Sequence, residues 1–192
     1  MLTDEAIDLL YPAGVAAAGE RHFTPVAVAR RAAELLAPTP SHRVLDLGAG
    51  AGKLCLVGAA STGASFTGIE RRRHFVQAAI EAGAQLRLRN VHFIHADILE
   101  VDWRPYDSYY LFNPFAEHLL GPIDHTELVA PALFGFYVQE VQKRLRDARR
   151  GTRVVTYHGF GGSLPACFRL AACENAGSDE LEVWIKDRNA RS

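Results

Sequence analysis

The chain has 192 residues, 48% hydrophobic and 22% charged. That composition builds one core of ordinary size and excludes both a disordered chain and a fibrous one. A formal net charge of −1 lacks the broad basic field of a dedicated nucleic-acid binder. The three cysteines, Cys55, Cys167 and Cys173, form no CxxC pair and read as free thiols of a reducing compartment.

The acidic start, Met1 to Glu5, lacks the basic segment that opens an export signal. The longest uncharged stretch, Leu54 to Ile69, is broken by Gly, Ser and Thr. It falls short of the roughly 20 apolar residues that span a bilayer. The expectation is a cytoplasmic protein with no membrane partner; the sequence sets no oligomeric state.

Residues 1–23 read as an N-terminal helical cap, with Gly14 to Gly19 as a short linker after a first helix. Residues 24–192 read as the main domain. Its first helix is expected to start at Thr24-Pro25, a capping hydroxyl followed by proline at the first helical position. Val28, Ala32, Leu35 and Leu36 lie on one face of it, and Pro38 and Pro40 close it.

Strand and helix signals then alternate. Strands are predicted at 43–47, 65–70, 91–97, 108–112 and 153–157. Helices are predicted from Leu54, from about Arg72 to Leu86 with Val76, Ala79 and Ile80 inward, and from about Leu133 to Asp147. The last of these places Phe134, Tyr137, Val138, Val141 and Leu145 on one side. Phe168–Cys173 and Leu181–Lys186 are two strands with no helix between them, hence an antiparallel hairpin. The pattern is an α/β fold, a mostly parallel sheet of seven strands with helices on both faces and the hairpin at one edge.

The stretch Asp46-Leu47-Gly48-Ala49-Gly50-Ala51-Gly52-Lys53-Leu54 runs from a strand through glycines into a helix. Such a turn lets the backbone pass close to a ligand at the helix N-terminus. A P-loop fails at two positions, both leucine. A nicotinamide or flavin fingerprint fails because its third glycine falls on Lys53. Glu70 closes the second strand 22 positions after Gly48, where a carboxylate binds ribose hydroxyls in nucleotide folds. Arg71, Arg72 and Arg73 beside it read as a solvated helix start. Asp97 ends the third strand and Ile98 follows it, and one acceptor with one apolar wall is enough to seat a purine. His92 and His95 point to opposite faces of a strand, so no metal site is indicated.

Val44 to Gly52 resembles motif I of the class I S-adenosylmethionine-dependent methyltransferases, which have a Rossmann-like fold. The resemblance implies S-adenosylmethionine as cofactor. It implies that Asp46 organises the methionine end, that Gly48, Gly50 and Gly52 lie against the carbon skeleton, and that Asp97 accepts from the adenine amino group while Ile98 packs on the ring. Asn113-Pro114-Phe115 after strand four is similar to the Asn-Pro-Pro-Tyr/Phe motif of N-methyltransferases, with the second proline missing. That likeness gives Asn113 and the Pro114 carbonyl the task of orienting a target nitrogen, and Phe115 a stacking role. Arg21 to Pro25 resembles the Phe-Thr-Pro motif of adenine-N6 methyltransferases.

The run from Thr62 to Glu70 and the stretch Asn113 to Ala116, with Asp124, His125 and Leu128, are similar to the non-SET histone lysine methyltransferases. That match is good over about residues 43–75 and short on the acceptor side. Glu117 and His118 are possible bases, and Tyr157 to Gly162 a glycine-rich loop beside the acceptor. The expected reaction is methyl transfer to a nitrogen of a small molecule or a protein side chain. Arginines at 144, 146, 149, 150 and 153 keep RNA as an alternative acceptor, and a noncatalytic S-adenosylmethionine- or nucleotide-binding module is the rival reading.

Overall fold

The computed structural model describes residues 2–22, 24–115 and 131–187. Seven strands form one sheet: β1 (Arg43–Leu47), β2 (Ser65–Glu70), β3 (Val91–His95), β4 (Ser108–Phe112), β5 (Arg153–Tyr157), β6 (Phe168–Ala176) and β7 (Asp179–Lys186). Their order is β3-β2-β1-β4-β5-β7-β6. The first five are parallel, β7 runs antiparallel to β5, and β6 pairs antiparallel with β7. The order reverses between β1 and β4, and ligands of open α/β sheets bind at the strand ends of such a switch point.

Among the described residues six helices accompany the strands: α1 (Asp4–Asp8), α2 (Ala13–His22), α3 (Val26–Leu36), α4 (Lys53–Thr62), α5 (Arg73–Gln85) and α6 (Pro131–Asp147). Two apolar clusters separate them. Side chains of α3, α4 and α5 pack with Val44, Tyr110, Val155 and Tyr157 on one face of the sheet. Val138, Val141 and Leu145 of α6 pack with Leu45, Leu47, Tyr109, Leu111 and Val154 on the other. Successive residues of β1, β4 and β5 thus go to opposite faces, as the period of two requires, and both faces are covered. The α/β architecture and the C-terminal hairpin follow the sequence reading.

Several local expectations are corrected. The Ala-rich Gly14–Gly19 stretch is no linker but the body of α2, where alanine favours helix and Val15 is buried in the first cluster. The Thr24 hydroxyl does not cap α3; it bonds the Tyr110 hydroxyl at 3.1 Å, and the helix starts after Pro25. The cap comes from 22 residues earlier, where the Asp4 carboxylate accepts from the Val26 N–H at 3.1 Å. Ile80 is exposed, because α5 buries a face centred on Phe75, Ala79 and Ala82. At about 100° per residue Ile80 lies some 130° from that centre. Strand β3 ends at His95, and the hairpin strands run longer than expected, leaving only Gly177 and Ser178 as the turn.

Candidate active site at the strand ends

The glycine turn between β1 and α4 carries positive φ at Gly48 (84°), Gly50 (54°) and Gly52 (78°), a conformation that L side chains disfavour. Two of these glycines also answer to packing. A Cβ on Gly48 would stand 3.1 Å from Cβ of Pro114, and one on Gly52 would overlap the ring of Phe93. The turn of β1 and the Asn113-Pro114 stretch after β4 therefore touch, across the switch point.

Glu70 binds the turn from the end of β2. Its Oε2 accepts from the Gly50 N–H at 3.0 Å, and Oε1 accepts from the Arg72 N–H at 2.8 Å. The Arg72 guanidinium closes on the same carboxylate, with Nε at 2.9 Å and Nη2 at 3.1 Å. Burial pushes the Glu70 carboxyl up, but the Arg72 guanidinium and the two backbone N–H groups outweigh it and hold the group below its ordinary value. An ionised carboxylate at the strand end suits hydroxyl donors. Arg72 is thus the partner of Glu70, not the solvated residue that the run of arginines suggested; Arg71 and Arg73 are exposed.

Asp46 is buried below the turn, its Oδ2 taking the Cys55 thiol at 3.5 Å. Burial raises its carboxyl to about 7; the Cys55 hydrogen bond opposes that rise and the Glu70 charge adds to it. Among the described residues no cation pairs with it. A buried acid kept without a counter-charge fits a site that receives one from a ligand.

At the end of β3, Asp97 Oδ1 accepts from the Leu99 N–H at 2.8 Å, and its other oxygen accepts from the Tyr137 hydroxyl of α6. Ile98 is buried, its carbonyl accepting from the Trp103 indole N–H at 3.0 Å. Phe115 turns inward and stacks on Tyr137, ring centroids 5.1 Å apart. Tyr137 thus joins Asp97 to Phe115. The sequence showed it only as an inward residue of α6.

Asn113 has φ 39°, and its N–H donates to the Gly159 carbonyl at 2.8 Å, tying the ends of β4 and β5. Among the described residues its side chain makes no hydrogen bond. Two of the glycines after β5 are packed closely. A Cβ on Gly161 would overlap Phe134, and one on Gly162 would meet Val138 at 2.6 Å, so α6 lies directly on them. Phe23, Ala116, Glu117, His118, Asp124, His125 and Leu128 lie outside the described residues.

The N-terminal helix closes over the other side of the turn. Lys53, at the first position of α4, meets Asp4 at 2.7 Å and Asp8 at 3.0 Å. The Tyr11 hydroxyl donates to the Ala51 carbonyl at 2.9 Å. A lysine at a helix N-terminus opposes the macrodipole, and the two aspartates offset it.

The family model for a methyltransferase domain matches residues 38–118, a span that contains every site residue named from Asp46 to Phe115. The matched span is less than half of the chain. An RNA methyltransferase from Salinibacter ruber, crystallised with S-adenosyl-L-homocysteine, is 21% identical, with a TM-score of 0.64 over 88% of this chain and 95% of its own. The putative methyltransferase yhhF from Escherichia coli is 20% identical, with a TM-score of 0.62 over 87% of this chain and 89% of its own. TrmN from Thermus thermophilus is 23% identical, with a TM-score of 0.67 over 88% of this chain and 51% of its own. At these identities the likeness is one of fold. No curated protein sequence matches the chain significantly. Among the described residues no helix is long and apolar enough to cross a membrane.

Proposed function

We propose that the chain is a class I methyltransferase that binds S-adenosylmethionine in the crevice between β1 and β4 and transfers its methyl group to a nitrogen. One observation carries this reading: Pro114 of the acceptor stretch packs on Gly48 of the glycine turn. The groups suited to the cofactor and those suited to the acceptor therefore meet at one point.

The residues present fit the cofactor. Glu70 offers an ionised carboxylate to ribose hydroxyls, once it shares or releases Arg72. Asp97 and Ile98 offer an acceptor and an apolar wall to adenine, and Asp46 a buried negative charge to an ammonium group. The sulfonium supplies an activated methyl group. The chain's own residues then have to align the acceptor and exclude water. Asn113, free of internal side-chain bonds among the described residues, orients the nitrogen with the Pro114 carbonyl.

A nitrogen of a small molecule or a protein side chain is the preferred acceptor. The arginine cluster that suggested RNA lies around the N-terminal ends of the strands, away from the crevice, and much of it is spent internally. Arg144 donates to the Leu99 and Val101 carbonyls, Arg149 pairs with Asp107 at 2.9 Å, and Arg153 reaches the Leu35 carbonyl. RNA is the second reading, favoured by the exposed Arg71 and Arg73 beside Glu70 and by the likeness to the Salinibacter enzyme.

Asn113→Ala tests the assignment. Methyl transfer should fall by about 10²-fold, the scale of a lost orienting group, while affinity for S-adenosylhomocysteine stays within about twofold. Equal loss of both would remove Asn113 from the acceptor side.

A further inference from the structure

Beside Asn113, at the end of β5, lies a hydrogen-bonded chain that none of the assigned roles uses. His158 Nδ1 stands 2.7 Å from Asp179 Oδ2, and its Nε2 stands 3.2 Å from the Ser178 hydroxyl. The Ser178 hydroxyl is 3.1 Å from the Tyr157 hydroxyl, which also accepts from the Ser178 N–H at 3.2 Å. An ionised Asp179 can only accept, so Nδ1 carries the proton of the neutral ring. Nε2 is then the basic atom, accepting from Ser178, whose oxygen accepts from Tyr157. Every donor in the chain has an acceptor.

Two features place this chain at the acceptor side. β4 and β5 pair in register up to Phe112 and Tyr157, so Asn113 and His158 are the next residues of each strand. Both adopt left-handed backbone, with φ 39° and 55°, a conformation that non-glycine residues hold at a cost of about 1 kcal/mol or more. The Asn113 N–H bond to the Gly159 carbonyl locks the two together. Strain held at two facing strand ends, next to an oriented histidine, is a pattern of working sites.

We propose that His158, held by Asp179, takes the proton that the acceptor nitrogen loses on methylation. The inference rests on the methyltransferase reading above. As the nitrogen–methyl bond forms, the sulfur–methyl bond breaks with its electron pair going to sulfur, which leaves as a neutral thioether. The nitrogen becomes cationic, and its N–H proton passes to His158 Nε2 as the Ser178 hydroxyl turns away. Asp179 faces the resulting imidazolium. Among the described residues it is the charged group paired with the ring; Tyr157 and Phe112, with centroids at 4.4 Å and 5.4 Å, are its aromatic walls. The pair suits an acceptor nitrogen that attacks with its lone pair and still carries an N–H, because the cation formed on methylation must shed that proton.

The test uses the full chain, tritiated-methyl S-adenosylmethionine, and two acceptor pools, unmodified bulk RNA and a denatured protein mixture. His158→Gln, Asp179→Asn and Ser178→Ala are compared with the unchanged protein. S-adenosylhomocysteine binding should stay within about twofold in all three. Labelling should fall at least about tenfold in His158→Gln, within the range for a lost general base. The rise of rate with pH seen in the unchanged protein should vanish in that variant and move to lower pH in Asp179→Asn. His158→Gln that labels at the original rate with the original pH profile overturns the proposal. If the unchanged protein binds no S-adenosylhomocysteine, the cofactor reading fails and this role falls with it. If it binds but neither pool is labelled, small primary amines are offered in the same assay, and no labelling of these either overturns the proposal.

Discussion

Replacing Asp46 by asparagine separates what this residue costs the fold from what it does for a ligand. Its carboxyl is buried under the glycine turn beside a thiol, and burial raises it from 3.8 to about 7. A raised acid contributes stability that is full below its unfolded value near 4 and is lost as pH rises to about 7. At about 1.4 kcal/mol per pH unit, the ionised group costs the fold up to about 4 kcal/mol at pH 8 relative to an ordinary aspartate. Local water entry reduces that figure, so the asparagine variant should be about 1–3 kcal/mol more stable at pH 8 and level with the unchanged protein near pH 4. Urea unfolding at the two pH values reads the difference directly. Cofactor affinity should move the other way, falling about tenfold or more as the charge offered to the ammonium is lost. Binding near pH 6 should also release a proton, visible as a dependence of calorimetric enthalpy on the buffer's ionisation heat. A variant less stable than the original at pH 8, or one with unchanged affinity, refutes the reasoning.

Other consequences follow from the same geometry. Glu70→Gln should weaken S-adenosylmethionine binding by about tenfold or more, and Arg72→Met should cost about 2–4 kcal/mol of stability by leaving the Glu70 carboxylate buried without its cation; calorimetry and denaturant unfolding check the two. Lys186 is buried, and its ammonium donates to the carbonyls of Leu145, Arg146 and Ala148 at the C-terminal end of α6. Lys186→Met orphans them and should cost about 2–4 kcal/mol, with a thermal midpoint lowered at neutral pH. Gly52→Ala combines a left-handed backbone with overlap on Phe93 and should cost about 2–4 kcal/mol, read as a lower urea midpoint with an unchanged m-value.

The parts of the fold legible in the sequence are those set by local pattern. Val44–Leu47, Phe66–Ile69 and Tyr109–Phe112 are mostly apolar runs of strand length, and each is followed directly by a residue of the site. The spacing from Gly48 to Glu70 is fixed by one helix and one strand, so it could be counted along the chain. What escaped the reading depends on residues far apart in sequence or on competition between near neighbours. Asp4 caps α3 and pairs with Lys53 of α4, and no local signal links positions 4, 26 and 53. Thr24 had a capping signature, yet a buried Tyr110 hydroxyl needed a partner and took it. Arg72 looked solvated because its neighbours are, while the geometry of the β2 end turns it back onto Glu70. The His158–Asp179 pair is invisible in one dimension, since it requires the hairpin to bring its turn alongside the end of β5.

The most direct test is a calorimetric titration of the purified chain with S-adenosylmethionine, S-adenosylhomocysteine and NADH side by side. The account predicts micromolar binding of the first two and none of NADH. Binding of NADH alone would contradict it at the glycine turn, and the crevice between β1 and β4 would have to be assigned to hydride chemistry.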